Sequence, residues 1–117
     1  VRVIIAGSRD IKDMAHVEAA IAASGYHITE VVSGGARGVD SLGEEWALLN
    51  KVRLGPDFSV PDYEWKKDPY GAGHKRNGRM ARYAEALIAV WDGDSGGTRN
   101  MIEQARAHGL LVFVYRV

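Results

Sequence analysis

The chain has 117 residues, 15 Lys+Arg against 15 Asp+Glu, 46% hydrophobic residues, 14 Gly and no Cys, which suits one globular domain over residues 1–117 and is too short for two domains with a cleft between them. Without Cys there is no disulfide scaffold, thiolate zinc site or cysteine nucleophile, and a formal net charge of zero argues against bulk electrostatic binding to nucleic acid while leaving room for a local basic patch. No stretch approaches the roughly 18–20 apolar residues of a membrane span, and Val1 to Ala6 lacks the basic and long apolar regions of a signal peptide, so the expected protein is soluble and cytoplasmic, with no membrane partner.

Short β-branched runs alternate with longer stretches of helical spacing, five of each in rough order, as expected of a parallel sheet covered by helices. Val1 to Ala6, ending at Gly7, reads as a strand buried on both faces. Asp10 is the expected cap of a helix carrying Ile11, Met14, Val17 and Ile21 at steps of three and four, with Gly25 beyond its end. Ile28 to Ser33 is the second strand; after Gly34-Gly35 comes a helix with Val39, Leu42, Trp46 and Leu49 along one side. The region from Leu54 to Tyr70 holds Pro56, Pro61 and Pro69 and reads as mostly loop, with Phe58-Ser59-Val60 as the candidate third strand. A helix follows from Gly73 or His74 to Tyr83, then a buried strand at Ala86–Trp91 and a turn-rich loop from Asp92 to Gly97. Thr98 or a neighbour opens the last helix, with Met101, Ile102 and Ala105 inward and Gly109 as terminator, and Leu110 to Tyr115 closes the sheet.

In an open parallel α/β sheet, ligands sit at the carboxyl ends of the strands. The unusual residues collect in those loops: Gly7-Ser8-Arg9, Ser33-Gly34-Gly35-Ala36-Arg37-Gly38, and Trp91-Asp92-Gly93-Asp94-Ser95-Gly96-Gly97-Thr98. Glycine lets main-chain N–H groups converge on an anion at a helix N-terminus, which makes phosphate the natural guest. The helix end contributes only about 0.3–1 kcal/mol per exposed charge, against about 1.5–3 for a charge-assisted hydrogen bond, so arginines and hydroxyls must supply most of the grip. Neither G-x-G-x-x-G nor G-x-x-x-x-G-K-[ST] occurs, so dinucleotide-fingerprint binding and P-loop NTPase activity do not follow.

The combination of Gly7-Ser8-Arg9, Ser33-Gly34-Gly35-Ala36-Arg37-Gly38-Val39-Asp40 with Glu44-Glu45-Trp46-Ala47, Ala72-Gly73-His74-Lys75-Arg76-Asn77 with Met80, Trp91-Asp92-Gly93 and Gly97-Thr98 resembles the YspA-type branch of the SLOG superfamily. That superfamily joins the Smf/DprA DNA-processing proteins and the LOG cytokinin-activating phosphoribohydrolases. The resemblance runs from about Val3 to Tyr115. It implies a three-layer, Rossmann-like α/β fold with a mainly parallel five-stranded sheet, a nucleotide or nucleotide-derived ligand, no required cofactor, and a role as a sensor or binding module of the kind proposed for relatives in bacteria and phages. It also places Gly34, Gly35, Gly97 and Thr98 around a phosphate, with Ser8 and Arg9 at the same rim.

LOG-type enzymes carry an Arg in R-x-x-x-M, matched by Arg76 with Met80, and a Glu in G-G-x-G-T-x-x-E, where this chain has Met101. Glu103 is two steps further, about 200° around a helix. A Glu in that place would be the expected acid/base or oxocarbenium stabiliser for cleaving an N-glycosidic bond. A phosphoribohydrolase is therefore the alternative reading, with Arg76, Glu44 and Glu45 as its catalytic candidates. A second alternative is DprA-like single-strand binding.

The expected ligand-binding set joins Gly7, Ser8, Arg9, Ser33, Gly34, Gly35, Arg37, Gly38 and Asp40 to Trp65, Gly73, Arg76, Asn77, Trp91, Asp92, Gly93, Ser95, Gly96, Gly97 and Thr98. Arg9, Arg37 and Arg76 are the expected phosphate partners, Ser8 and Thr98 the hydroxyl donors, and Trp65 or Trp91 the base contact. Asp40, Glu44 and Glu45 suit ribose hydroxyls or a basic substrate, and equally the helix N-terminus they follow. Asp92 and Asp94 read as turn formers before Mg²⁺ ligands, and His16, His27, His74 and His108 show no metal-ligand spacing, so no metal is expected. From Lys66 to Arg82, six basic residues face Asp68 alone; Lys75, Arg79 and Arg82 share a helix side as a solvated stripe, and Arg76 sits about 100° away, free to face a pocket. Nucleic acid is not the favoured partner. A rim site on a small domain and the habits of SLOG relatives point to a homodimer or homotetramer.

Overall fold

The computed structural model describes all of residues 1–117. Five strands form one sheet in the order β3-β2-β1-β4-β5, every neighbouring pair parallel: β1 Arg2–Gly7, β2 Glu30–Val32, β3 Arg53–Leu54, β4 Ala86–Trp91 and β5 Leu111–Arg116. The helices are α1 Met14–Ser24, α2 Val39–Leu49, α3 Asp62–Lys67, α4 Pro69–Tyr83 and α5 Gly96–Ala107. No helix is long and apolar enough to cross a membrane.

Strand alternation divides the core into two layers. Val3, Ile5, Val31, Ile88 and Val90 point to one face and pack with Val17 and Ala20 of α1 and Val39 and Ala47 of α2. Ile4, Ala6, Val32, Leu87 and Ala89 point to the other and meet Met80 and Ala81 of α4 and Met101, Ile102 and Ala105 of α5. The central strands β1 and β4 are apolar almost throughout because both faces are covered. The sheet order reverses between β1 and β4, which puts the topological switch point, where such folds open a crevice, at the loops after those two strands.

Several local expectations are corrected. The third strand is Arg53–Leu54, not Phe58-Ser59-Val60: Gly55 N–H donates to Val31 O at 2.9 Å to end the pairing, and Val60 is buried without joining the sheet. The supposed loop up to Tyr70 contains α3 and the start of α4. Pro69 occupies the first turn of α4, where its missing N–H costs nothing, while Asp68 Oδ1 accepts from Gly71 N–H at 3.0 Å as the cap. Helix α1 is capped by Asp13, whose Oδ1 accepts from Ala15 N–H at 2.9 Å, rather than by Asp10; Ile11 is buried ahead of the helix and not on it.

At the amino ends of the strands the Tyr83 hydroxyl donates to the largely buried Glu30 carboxylate, and Arg53 Nε lies 3.5 Å from its other oxygen. Arg2 covers the Tyr83 ring at 4.9 Å and donates from Nε to Tyr83 O at 2.9 Å. This clamp ties β1, β2, β3 and the end of α4 together at the end of the sheet opposite the glycine loops.

Candidate functional site

The loops after β1, β2 and β4 converge with the starts of α4 and α5 around a cavity of about 510 Å³. Its wall includes Gly7, Arg9, Ala36 and Asp40 from the first two loops and α2. Trp65 of α3 and Tyr70, Gly73, Arg76, Asn77 and Met80 of α4 form the roof, and Ser95, Gly96, Gly97, Thr98 and Met101 the far side. A second chamber of about 300 Å³ adjoins it, with Arg9, Ala36, Trp65 and Arg76 shared and Gly34, Gly35, Arg37, Ser59, Val60 and Asp62 added.

The arginines are held in place by the protein's own groups. Arg76 donates from Nη1 to Gly34 O at 3.2 Å and from Nε and Nη2 to Asn77 Oδ1, both at 3.3 Å. Buried Asn77 donates in turn to Gly97 O at 3.3 Å and Asn100 Oδ1 at 3.0 Å, and Gln104 Nε2 links that same Oδ1 to His74 O. The network fixes the Arg76 fork and locks α4 to the first turn of α5. Arg9 and Arg76 both pack on Trp65, their guanidinium carbons 5.8 and 5.7 Å from its ring centre. Gly73 allows this arrangement, since a Cβ there would stand 3.3 Å from Trp65 Cη2.

Asp40 is buried at 4% exposure, and its Oδ2 accepts from Ala36 N–H at 3.3 Å. Burial pushes its carboxyl up to about 6; Arg76 and the Ala36 N–H oppose the rise, and Glu44 adds to it. Arg76 is pushed down by burial, with Asp40 opposing and Arg9 and Arg79 reinforcing the shift. Two guanidiniums thus face one carboxylate of weakened acidity, which leaves a surplus of positive charge in the cavity. Gly34 fits between the opposite charges: a Cβ there would lie 2.9 Å from Asp40 Oδ2 and 3.0 Å from Arg76 Cζ.

The raised Asp40 value has a testable sign. The folded protein holds this proton more tightly than the unfolded chain, so the associated stability is complete below about pH 3.8 and is lost as pH rises through about 6. Asp40→Asn is therefore expected to gain stability relative to the parent between about pH 4 and about pH 7, by as much as about 3 kcal/mol. Denaturant unfolding across that range checks it; a difference that stays constant with pH refutes the assignment.

The N-terminus of α5 faces the cavity without a side-chain cap, and the N–H groups of Gly96, Gly97 and Thr98 have no protein acceptor. Thr98 Oγ1 donates to Ser95 Oγ at 3.2 Å. A helix end of this kind, beside two arginines, can take an anion.

Other residues expected at the site serve the loops themselves. Ser8 is buried; its Oγ accepts from Asp92 N–H at 3.1 Å, and its backbone bonds Val90, Ile11 and Val39, so it knots three segments beneath the cavity. Ser33 Oγ donates to Glu44 at 2.6 Å and accepts from Gly35 N–H. Gly38 takes φ 78° as the α2 cap, against the Arg9 backbone, a conformation only glycine adopts readily. Asp92 Oδ1 accepts from the N–H groups of Asp94 and Ser95, and Trp91 donates to Ser95 O between Arg99 and Arg116. Ser8, Ser33, Gly38, Trp91, Asp92 and Gly93 line neither chamber, nor do Glu44 and the exposed Glu45. Lys75, Arg79 and Arg82 face solvent while Arg76 faces the cavity. Ala36, Met80 and Met101 enter the lining unforeseen; small or apolar residues carry no chemical signal, although the helical phase of Met101 placed it inward.

A parallel α/β sheet with its crevice at the β1/β4 switch point and glycine loops around it defines a Rossmann-like protein. The chain belongs to the YspA, cpYpsA-related SLOG family, whose sequence profile matches residues 1–59. The Gene 61 protein of Mycobacterium phage D29 is 36% identical over 119 residues, an alignment covering 95% of this chain and 93% of the phage protein. Among solved structures, DNA processing protein A of Streptococcus pneumoniae matches with a TM-score of 0.67 over 97% of this chain at 20% identity. This chain spans 49% of that protein, and the likeness is one of fold.

Proposed function

We propose that this protein is a binding module for a nucleotide or nucleotide-derived small molecule, held in the larger chamber. The observation that carries the reading is the convergence of the uncapped α5 N-terminus with Arg9 and Arg76 on one cavity, whose volume of about 510 Å³ lies within the roughly 300–1,000 Å³ of small-molecule sites. A phosphate fits over the free N–H groups of Gly96, Gly97 and Thr98, with the arginines supplying charge. The roof, with Trp65, Tyr70 and Met80, joins Met101 of α5 to offer an apolar surface for a base. Asp40 is the one carboxylate in this chamber and suits a ribose hydroxyl. The place at which a LOG-type enzyme would carry Glu holds the buried Met101, and Glu103 is exposed on another side of α5, which favours binding over glycosidic cleavage.

Titration calorimetry with mono-, di- and cyclic nucleotides tests the reading. Binding is expected, without release of free base on prolonged incubation. Gly97→Ala is the sharpest variant: its Cβ would meet nothing within 4 Å, so the protein keeps its stability, yet the added methyl stands where a phosphate must approach the amides. Its affinity is expected to fall at least about tenfold. If no nucleotide binds at millimolar concentration, or Gly97→Ala binds as the parent does, the proposal fails.

A further inference from the structure

We infer that the ligand carries two anionic groups at separate positions, one in each chamber; this rests on the nucleotide reading of the larger chamber and extends it to the smaller one. The two chambers meet along a partition made by Arg9, Trp65 and Arg76, where both guanidiniums stack on the same indole and both line both spaces. An arginine shared in this way has donors for each side.

The two spaces differ in chemistry. The larger has the α5 amides for one phosphate and a wall of Trp65, Tyr70, Met80 and Met101 for an apolar ring. The smaller keeps only Trp65 of that wall and adds Val60. Its distinctive residues are the glycine loop, Ser59 and a third guanidinium, Arg37, which lines only this chamber. Three arginines against the exposed Asp62 give it a net positive lining. An uncharged sugar or a second base would leave that charge without a partner, whereas a second phosphate satisfies it. A single terminal phosphate chain confined to the α5 end would not reach Arg37.

The ligand class that follows is a nucleotide with phosphates on different atoms of its sugar, or two nucleotides joined through one phosphate, rather than one with all its phosphates in a row. One phosphate rests on Gly96, Gly97 and Thr98, the sugar passes under Arg9 and Arg76, and the second phosphate lies against the Gly34–Arg37 loop. The same spacing recurs along a nucleic-acid strand, so the experiment must separate a free nucleotide from a strand.

The test compares nucleoside 5′-monophosphates, 5′-diphosphates and 3′,5′-bisphosphates of the same base by calorimetry, on the parent and on Arg37→Ala. Arg37 is exposed, and thermal unfolding checks that the variant is folded. The bisphosphate is expected to bind at least about tenfold more tightly than both the monophosphate and the diphosphate, the worth of one charge-assisted hydrogen bond, and Arg37→Ala is expected to remove most of that advantage. A 5′-phosphorylated hexanucleotide binding no more tightly than the bisphosphate identifies a free nucleotide as the ligand; one binding at least tenfold more tightly, with steep salt dependence, overturns that choice in favour of a strand. A diphosphate equal to the bisphosphate, or Arg37→Ala weakening every nucleotide alike, overturns the two-anion inference while leaving the nucleotide reading intact. Absence of binding by any of the three overturns both.

Discussion

Arg76→Ala is expected to weaken nucleotide binding by about 100-fold, because one substitution removes a charge-assisted donor pair and the pre-set geometry that aims it. The guanidinium is fixed by Gly34 O and Asn77 Oδ1 and packed on Trp65, so little side-chain entropy remains to be lost when an anion arrives. The same change deprives Asp40 of the cation that opposes the upward push of burial, so its carboxyl rises above about 6 and holds its proton nearer neutrality. Arg76→Lys is expected to recover only part of the affinity, since an ammonium cannot reproduce a fork that meets two acceptors at once. Calorimetry on both variants, beside a thermal melt, measures the effect. Full affinity in Arg76→Ala removes this residue from the site.

Gly7→Ala is expected to carry the largest stability cost among single-methyl additions at the rim. A Cβ at this position would fall 2.0 Å from Val90 O and 2.8 Å from Val39 Cγ2. Neither neighbour can yield cheaply. Val90 O belongs to β4, whose Val90 pairs with Gly7, and accepts from Ser8 N–H at 3.1 Å; Val39 is fully buried at the start of α2. Relief requires parting β1 from β4 or lifting α2 from the sheet, and the expected loss is about 3 kcal/mol or more. Equilibrium urea unfolding checks it, with Gly96→Ala as the contrast. A Cβ at Gly96 meets nothing within 4 Å, so stability there is expected to stay within about 1 kcal/mol of the parent. Equal behaviour of the two variants would show that the close approach at Gly7 is not rigid.

Strands β1, β2 and β4 were legible because burial on both faces leaves a near-continuous apolar run that needs no partner to read, and β5 because its half-buried residues are apolar too. Strand β3 was not: Arg53–Leu54 is two exposed residues at the sheet edge, held by pairing to β2, and its pattern says nothing of that. Phe58 and Val60 looked more strand-like because both are apolar, yet they pack beneath the loop. The prolines misled in the opposite direction, since Pro61 lies just ahead of α3 as its cap and Pro69 stands at the first helical position of α4, where proline is favoured. The sequence pointed to the loops that gather around the cavity but not to the division of labour inside them. Ser8, Ser33 and Asp92 are polar residues in glycine loops, and nothing in their identity tells that their oxygens are engaged by neighbouring segments. Arg76 was legible through helical phase, about 100° from the basic stripe, and through its R-x-x-x-M spacing with Met80.

The clamp of Glu30, Tyr83, Arg53 and Arg2 stands at the far end of the sheet from Gly34, Arg37 and Gly97. The clamp and the proposed binding cavity thereby lie at opposite poles of the molecule. Exchanging loops at the cavity pole is expected to leave that clamp intact. Gly7 and Ser8 set the boundary of that freedom, because replacing either would travel down into the scaffold.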